Sequence, residues 1–224
     1  MKKILFIVAH PDDETISAGG TIARHISEKD KVYCYSFTDG VGSRGPSESE
    51  KKKRLQSAFK ASKILGFKWI DLGKNVFEDN SLDTYPLLTF VKIIEKIKKR
   101  VNPQVIYTHS QYDLNVDHRI ISVATSTAFR PQTNEKWEKI LSFEVPSSTD
   151  FSNEVNDSFK PNYFVNVKKF WKLKMKALKA YRQEIRPRPH SRSFEGIENL
   201  AKIRGNQSGQ SFTESFQMLR EIKR

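Results

Sequence analysis

The sequence contains a single cysteine, Cys34, among its 224 residues. One cysteine cannot form an intramolecular disulfide, and it cannot build a metal cluster held by thiolates. Cys34 lies in the segment KVYCYSF, which has the composition of a strand. That setting favours a buried packing residue over a nucleophile.

Long hydrophobic runs and glycine-rich phosphate motifs are also missing. No apolar stretch approaches the roughly 20 residues that a membrane-spanning helix needs. No GxGxxG or GxxxxGK[ST] fingerprint follows a predicted strand, and no aromatic-basic interleaving marks a nucleic-acid platform. The N-terminal apolar run is short and ends in HPDDE rather than in a cleavage site. We therefore expect no signal peptide, no transmembrane segment and a cytoplasmic protein.

Positive charge is in excess. The sequence has 39 Lys and Arg against 26 Asp and Glu, for a net charge of +13. Such a balance favours anionic partners, although a basic protein without one is the plain alternative. Two basic clusters, at residues 51–54 and 96–100, fall on predicted helices. Their regular spread indicates solvated faces, so we expect no nucleic-acid partner.

Strand-like and helix-like segments alternate through the first 145 residues. The pattern predicts strands at residues 4–9, 31–37, 68–72, 104–108 and 139–144, and helices at 14–28, 48–65, 84–100 and 117–129. Such alternation is typical of parallel βαβ units and predicts a three-layer α/β sandwich with a mostly parallel central sheet.

The pattern weakens after residue 146. A late strand at 163–167 and a helix at 170–181 are followed by a stretch that is dense in arginine and proline and cannot be a regular helix. No internal repeat is present. We therefore expect one domain over residues 1–224, with residues 146–224 as an elaboration of it.

A histidine and three carboxylates follow the first predicted strand, in the segment AHPDDE. His10 and Asp13 are three residues apart, so a tight turn can aim both side chains at one point. Imidazole nitrogen and carboxylate oxygen are both zinc ligands, and a catalytic zinc takes about three protein ligands and a water. Asp12 could then act as a general base. Alternatively, Asp12 or Asp13 caps the following helix, which would account for only one carboxylate.

A third ligand must come from elsewhere, and the segment YTHSQYDLNVDHR at residues 107–119 is the best source. It also follows a strand and leads into a helix, and in a parallel sheet its start lies at the same edge as HPDDE. The segment offers four candidates: His109, Asp113, Asp117 and His118.

Two of these segments resemble a known family. AHPDDE, followed by Gly19 and Gly20, resembles the signature of the PIG-L/LmbE-like zinc-dependent N-deacetylases. NVDHR at residues 115–119 resembles that family's second motif, usually His-x-Asp-His, and SFTDGVGSRG resembles the loop after its second strand. The resemblance covers most of residues 1–130. It implies a Rossmann-like sheet and removal of the acetyl group from an N-acetylated amino sugar, often of glucosamine type.

The resemblance also implies roles for individual residues. His10, Asp13 and His118 match the ligands of Zn²⁺, for which another divalent metal could substitute. Asp12 matches the general base that activates the water, and Asp117 matches an aspartate that orients or tunes a nearby group.

Asn115 departs from the family pattern. The family has a histidine there, which would help to stabilise the oxyanion. An asparagine amide can donate a hydrogen bond to an oxyanion, but it has no charge and no proton to give. His109 or His190 could supply the missing imidazole.

Basic residues in two loops are candidates for substrate contact. Arg44 lies in a glycine-rich loop that follows a strand at the same sheet edge. The segment EIRPRPHSRS places Arg186, Arg188, His190 and Arg192 in a proline-stiffened loop suited to phosphate or carboxylate groups. Such a loop could close over an anionic or carrier-linked N-acetylated sugar, with an exposed basic loop as the alternative.

Two other functions compete with zinc-dependent deacetylation. A metal-dependent phosphoesterase acting on a sugar phosphate would suit the basic charge, but a two-metal phosphatase usually needs a second dense carboxylate cluster, which the sequence lacks. A non-catalytic binder of nucleotide sugars or nucleic acid would need one of the fingerprints that are missing. An oligomer is compatible with all three functions.

Overall fold

The computed structural model describes residues 1–45, 47–74, 77–153 and 158–223, with only the backbone of Arg44. Its strands are β1 (Lys3–Val8), β2 (Lys31–Ser36), β3 (Lys68–Trp69), β4 (Val105–His109), β5 (Lys139–Phe143), β6 (Tyr163–Asn166) and β7 (Thr213–Glu221). Its helices are α1 (Asp13–Ser27), α2 (Glu48–Leu65), α3 (Leu87–Val101), α4 (Val116–Ala128), α5 (Trp171–Leu178) and α6 (Phe194–Gln207). None of the described helices is both long and apolar enough to cross a membrane.

The strands form one sheet in the order β3-β2-β1-β4-β5-β7-β6. β1 to β5 pair in parallel, whereas β7 runs antiparallel to both β5 and β6. The predicted α/β class with a mostly parallel sheet is confirmed. Residues after 146 contribute to this same sheet, and the single domain stays a prediction. α6 and β7 are additions that the sequence pattern did not predict.

Helices cover both faces of the sheet. Phe6 and Val8 of β1 pack in a buried cluster with side chains of α1, α2 and α5. Leu5 and Ile7 pack in a second cluster with side chains of α3 and α4. Since successive residues of a strand point to opposite faces, a strand buried on both sides reads as the unbroken apolar run seen at residues 4–9.

The chain reverses its direction of progress across the sheet between β1 and β4. From β1 the chain adds β2 and β3 on one side, and it then crosses over to add β4 and β5 on the other. The loops that leave β1 and β4 therefore diverge and open a crevice at the carboxyl ends of these strands. His10 follows β1, and the segment leading into α4 follows β4.

Helix α1 is interrupted at Ala18, whose φ of −136° and ψ of 18° are not helical. The N–H groups of Gly20 and Thr21, which lie just after the interruption, donate to the Glu214 carboxylate at 2.9 and 2.6 Å. Lys174 pairs with the same carboxylate at 2.7 Å, and both side chains are buried. Glu214 of β7 thus caps the second half of α1, and Lys174 balances its charge.

Gly20 is required by the close approach of the segment after β6. An added Cβ would lie 2.6 Å from Cβ and 2.8 Å from Cγ1 of Val167. We expect Gly20→Ala to lower the free energy of unfolding by about 1–3 kcal/mol through overpacking. At Gly19 the nearest atom to an added Cβ is Cγ of Lys174, at 3.1 Å. Gly19→Ala should therefore change stability by less than about 1 kcal/mol. Urea unfolding measures both, and equal losses would contradict the explanation.

Candidate metal centre and active site

Three buried side chains converge in the crevice between β1 and β4. His10, Asp13 and His118 each offer one ligand atom, and these atoms lie within 4.8 Å of one another. Nδ1 of His10 is 3.0 Å from Nε2 of His118. Oδ2 of Asp13 is 3.3 Å from the first nitrogen and 3.5 Å from the second.

The HPDD turn brings the first two of these side chains together. The backbone N–H of His10 donates to Oδ2 of Asp13 at 2.9 Å, which closes the turn. Asp12 occupies the N-cap position of α1 with an unusual φ of 154°, but its side chain makes no capping hydrogen bond. The capping alternative is therefore wrong for Asp12. Rare backbone angles of this kind concentrate at functional sites.

Two carboxylates lie beside the outer nitrogen of His10, which is the ring nitrogen that faces away from the other two candidate ligands. Nε2 of His10 lies 3.0 Å from Oδ1 of Asp79 and 3.3 Å from Oδ2 of Asp117. Asp117 also accepts hydrogen bonds from the backbone N–H groups of Asn80 and Leu82, at 2.7 and 3.0 Å. Since these oxygens already have donors, we interpret Asp79 and Asp117 as orienting His10 rather than as a second metal site.

Asp113 holds the outer nitrogen of His118, with Oδ2 at 3.1 Å from Nδ1. Its carboxylate also accepts hydrogen bonds from the hydroxyl groups of Ser148 and Thr149, which follow β5. Burial alone would raise the pKa of Asp113, but His118 and the two hydroxyls hold it well below its usual range. Asp113 is therefore ionised and fixes His118 in one orientation.

The residues at the centre fit a divalent metal. If the outer nitrogens of both histidines donate to carboxylates, the inner nitrogens carry lone pairs. These two lone pairs and the Asp13 carboxylate then face one another with no donor among them, and a cation satisfies all three. Burial lowers the pKa of His118, yet Asp113 and Asp13 outweigh it and raise that pKa to about 9. The centre thus attracts positive charge, and two imidazoles with one carboxylate are a catalytic zinc ligand set.

Asp12 lies beside this centre without joining it. Its Oδ2 accepts a hydrogen bond from Nη1 of Arg54 at 2.9 Å, and Arg54 also pairs with Glu184 at 3.1 Å. Burial raises the pKa of Asp12, which Arg54 opposes. A carboxylate with a raised pKa is suited to accept a proton near neutral pH.

The predicted solvated face at residues 51–54 is wrong for Arg54, which is only 1% exposed. The helix carries this side chain inward, onto the carbonyl oxygens of Pro11 and Gly40 and the carboxylate of Asp12. A signal was available in the sequence, because Arg54 shares the buried face of α2 with Ala58, Ala61 and Leu65 at helical spacing.

A polar cavity of about 140 Å³ opens beside the centre. Its walls include the three candidate ligands. Five further residues line it: Asp12, Asp79, Asn115, Glu184 and Arg192. Sequence reasoning gave no role to Asp79, which lies in a loop without periodicity, and none to Glu184. Their contribution depends on how the loops fold over the sheet edge.

Arg192 is the residue through which the arginine-rich loop reaches the cavity. Its Nε donates to the carbonyl oxygen of Pro146 at 3.3 Å.

Arg188 instead pairs with Glu195 at 3.0 Å, with 73% of its side chain exposed. Nδ1 of His190 accepts the backbone N–H of Arg192 within the loop. In the described part of the chain, neither Arg188 nor His190 lines the cavity. Because Arg188 extends into solvent and the His190 ring packs against Phe151, the structure does not support their predicted substrate contact. The Arg44 side chain lies outside the described residues.

His109 lies behind the centre rather than at its surface. It is fully buried, its ring stacks on that of His118 at 3.9 Å, and its Nε2 accepts the backbone N–H of Ala9 at 2.9 Å. Burial and the neighbouring His118 lower its pKa to about 4, so it is neutral. A substrate cannot reach this ring, and the predicted contact between His109 and substrate is not supported.

Asn115 caps α4 and also lines the cavity. Its Oδ1 accepts the backbone N–H groups of Asp117 and His118, at 2.9 and 3.3 Å. Because the side-chain oxygen accepts hydrogen bonds from the helix, the amide NH₂ group is the part of the side chain that can donate hydrogen bonds into the cavity. The side chain is thereby fixed in the orientation that offers donors.

We expect Asp113→Asn to weaken metal binding by about 10–100-fold, because His118 loses the charged partner that orients it. Metal affinity can be measured by competition with a chelator of known affinity. Asp150→Asn is the matched control, since Asp150 accepts the backbone N–H of Ser148 in the same loop and, among the contacts of the described residues, none joins it directly to His118. Equal affinities in the parent and Asp113→Asn would contradict the assigned role.

A buried pair of histidines and an aspartate lie at the switch point of a mostly parallel sheet, and a further carboxylate lies beside them without joining the ligands. This arrangement is typical of the centre of a metal-dependent hydrolase. The family model described as "PIG-L: GlcNAc-PI de-N-acetylase" matches residues 5–129, more than half of the chain. The chain belongs to this family, which confirms the resemblance found in AHPDDE and NVDHR.

Known proteins resemble the chain over nearly all of its length. It is 26% identical to the diacetylchitobiose deacetylase of Thermococcus kodakarensis, over 98% of this chain and 84% of that protein. The solved N,N'-diacetylchitobiose deacetylase of Pyrococcus horikoshii is 22% identical with a TM-score of 0.75, covering 97% of this chain and 84% of that one. GalB, the 4-carboxy-2-hydroxymuconate hydratase of Pseudomonas putida KT2440, is 19% identical with a TM-score of 0.78, covering 100% and 98%. These two structures show that the fold is shared.

Proposed function

We propose that this chain hydrolyses the N-acetyl group of an amino-sugar derivative of GlcNAc type, with Zn²⁺ held by His10, Asp13 and His118. The observation that carries the proposal is the convergence of the two inner imidazole nitrogens on the Asp13 carboxylate, with Asp12 beside them and paired with Arg54 rather than among the ligands. Membership of a de-N-acetylase family supports the same reaction.

Each residue of the cavity has a distinct task in this reaction. When bound, the metal would polarise the amide carbonyl and acidify a water. Asp12 takes the proton from the attacking water and delivers it to the nitrogen of the departing amine. The amide NH₂ group of Asn115 offers hydrogen bonds to the carbonyl oxygen as it gains negative charge. Asp79, Asp113 and Asp117 keep the two histidines in place.

The substrate that we propose is anionic or carrier-linked. Arg192 supports this part of the proposal, because it brings a guanidinium group to the cavity wall. The net charge of +13 would draw such a substrate towards the protein. The cytoplasmic location and an oligomeric state stay predictions.

The test is acetate release from a panel of free, nucleotide-linked and lipid-linked N-acetylglucosamine derivatives. The fold alone does not select the reaction, since a hydratase shares it. We expect equal amounts of acetate and free amine from at least one class of substrate, and faster release when that substrate is anionic. Metal-loaded protein that releases phosphate from sugar phosphates, and acetate from no member of the panel, would overturn the proposal.

A further inference from the structure

An apolar groove of about 630 Å³ runs between α2 and α5, outside the metal centre. Its floor is formed by Phe59 and Ile64 of α2 and Leu173 of α5. Phe59 is 49% exposed, although the neighbouring Ala58 is fully buried in the core. The groove has the volume of a ligand pocket, roughly 300–1,000 Å³. The Phe59 ring, together with the other two apolar side chains, gives the groove an apolar surface that is open to solvent.

The described residues that line the groove include positively charged side chains and no negatively charged ones. Lys60, Lys63 and Lys176 line it together with the apolar floor. The acidic residues of α2 are confined to its first turn, and α5 contains none. The ion pairs that lysines of these helices form in the described residues involve other side chains, Lys51 and Lys174.

We propose that the α2/α5 groove docks the chain on an anionic phospholipid surface. A lysine can lay its aliphatic stem along apolar surface while its ammonium group stays among polar neighbours. Lysines beside an exposed phenylalanine and a half-buried leucine form the pattern of side chains that lie at the level of lipid head groups. An acyl chain covers the floor, and the lipid phosphates lie among the three ammonium groups.

Charge complementarity favours lipid over other occupants. A second copy of this chain would bring the same lysines face to face, and such like-charge contacts cost several kcal/mol. Protein interfaces in general are depleted in lysine and enriched in arginine, tyrosine and tryptophan. The cations lining this groove are all lysines.

Helix α2 takes part in both the groove and the metal cavity. Gln56 lines the groove two residues after Arg54, which contacts Asp12. Gln183, which immediately precedes Glu184 of the metal cavity, donates to Oγ of Ser57 of the same helix at 3.4 Å. The groove and the cavity therefore have no lining residue in common, but both are built in part from α2. The inference itself rests on the groove alone and holds for any reaction at the centre.

The test is co-sedimentation of the full chain with vesicles of phosphatidylcholine alone, or of phosphatidylcholine with phosphatidylglycerol. We expect binding only to the second kind. The variant Lys60→Gln/Lys63→Gln/Lys176→Gln should bind on the order of 100-fold more weakly, at about 1 kcal/mol for each lysine near an anionic surface. Phe59→Ser should bind about 10-fold more weakly through lost apolar burial.

The matched control removes the same charge from the opposite face of the sheet. The variant Lys92→Gln/Lys96→Gln/Lys99→Gln lies on exposed positions of α3, and we expect it to bind vesicles about as well as the parent. Equal losses in the two triple variants would show attraction by net charge alone and overturn the proposal.

Two further results would also overturn it. One is no binding of the parent to phosphatidylglycerol vesicles. The other is a dimer of the parent that Phe59→Ser converts to a monomer, because the groove would then be a protein interface. Unfolding midpoints equal to that of the parent establish that the variants are folded. Because neither readout uses acetate release, failure of this proposal is distinguishable from failure of the proposed reaction.

Discussion

Asp12→Asn is expected to lower kcat for amide hydrolysis by about 10²–10⁴-fold while leaving the metal content unchanged. The asparagine has the same shape and can still accept the hydrogen bond from Arg54, whose partner in the parent is Oδ2 at 2.9 Å. It cannot accept the proton of the attacking water. Because Asp12 is not among the three converging ligands, the metal should stay bound.

The experiment measures kcat at saturating substrate and metal content by elemental analysis on the same preparation. Asp83→Asn, at an exposed position in the turn before α3, is the control for loss of one carboxylate elsewhere. Parent-like activity in Asp12→Asn would refute the proposed base. Loss of metal would show instead that Asp12 is a ligand.

His118→Ala is expected to abolish both metal binding and activity. His118 supplies one of three donors, and its Nε2 lies 3.0 Å from Nδ1 of His10. Without it, two donors remain where a catalytic zinc takes about three. Metal content should fall from about one ion per chain to near zero, and activity should fall to the level of the chelated parent.

His25→Ala is the matched control for this prediction. His25, Glu28 and Asp30 form another group with metal-ligand spacing on the protein surface. In the structure Nδ1 of His25 pairs with Asp30 and Nε2 lies 3.1 Å from the Tyr107 hydroxyl, so both nitrogens are occupied. We expect this variant to keep its metal. If His25→Ala lost the ion and His118→Ala kept it, the metal centre would lie elsewhere.

Local signals determined which elements the sequence could predict. The bounds of α2 agree with the prediction because Ser47 and Glu50 form a capping box at its start and Gly66, with a φ of 87°, ends it. β7 gave no such signal, because its buried face includes the charged Glu214, which breaks the alternation of apolar and polar residues. That carboxylate is buried only because Lys174 and the interrupted helix surround it.

The same distinction applies to the site. His10 and Asp13 were predictable because one turn after one strand joins them, and His118 because parallel strands end at one edge. Asp79 and Arg192 approach the centre from loops that carry no periodic pattern. His109 stands in the right segment, but it ends β4 with its ring turned into the core. The orientation of a side chain at a strand end depends on packing that spacing does not encode.

The capping of α1 by β7 has a consequence for how the chain is made. Gly20 and Glu214 are separated by 194 residues, so a ribosome that delivers the N-terminal part first releases α1 long before its partner exists. Contacts between such distant segments also form slowly, because a long loop must close first. We therefore expect the second half of α1 in the nascent chain to lack its cap until β7 inserts between β5 and β6.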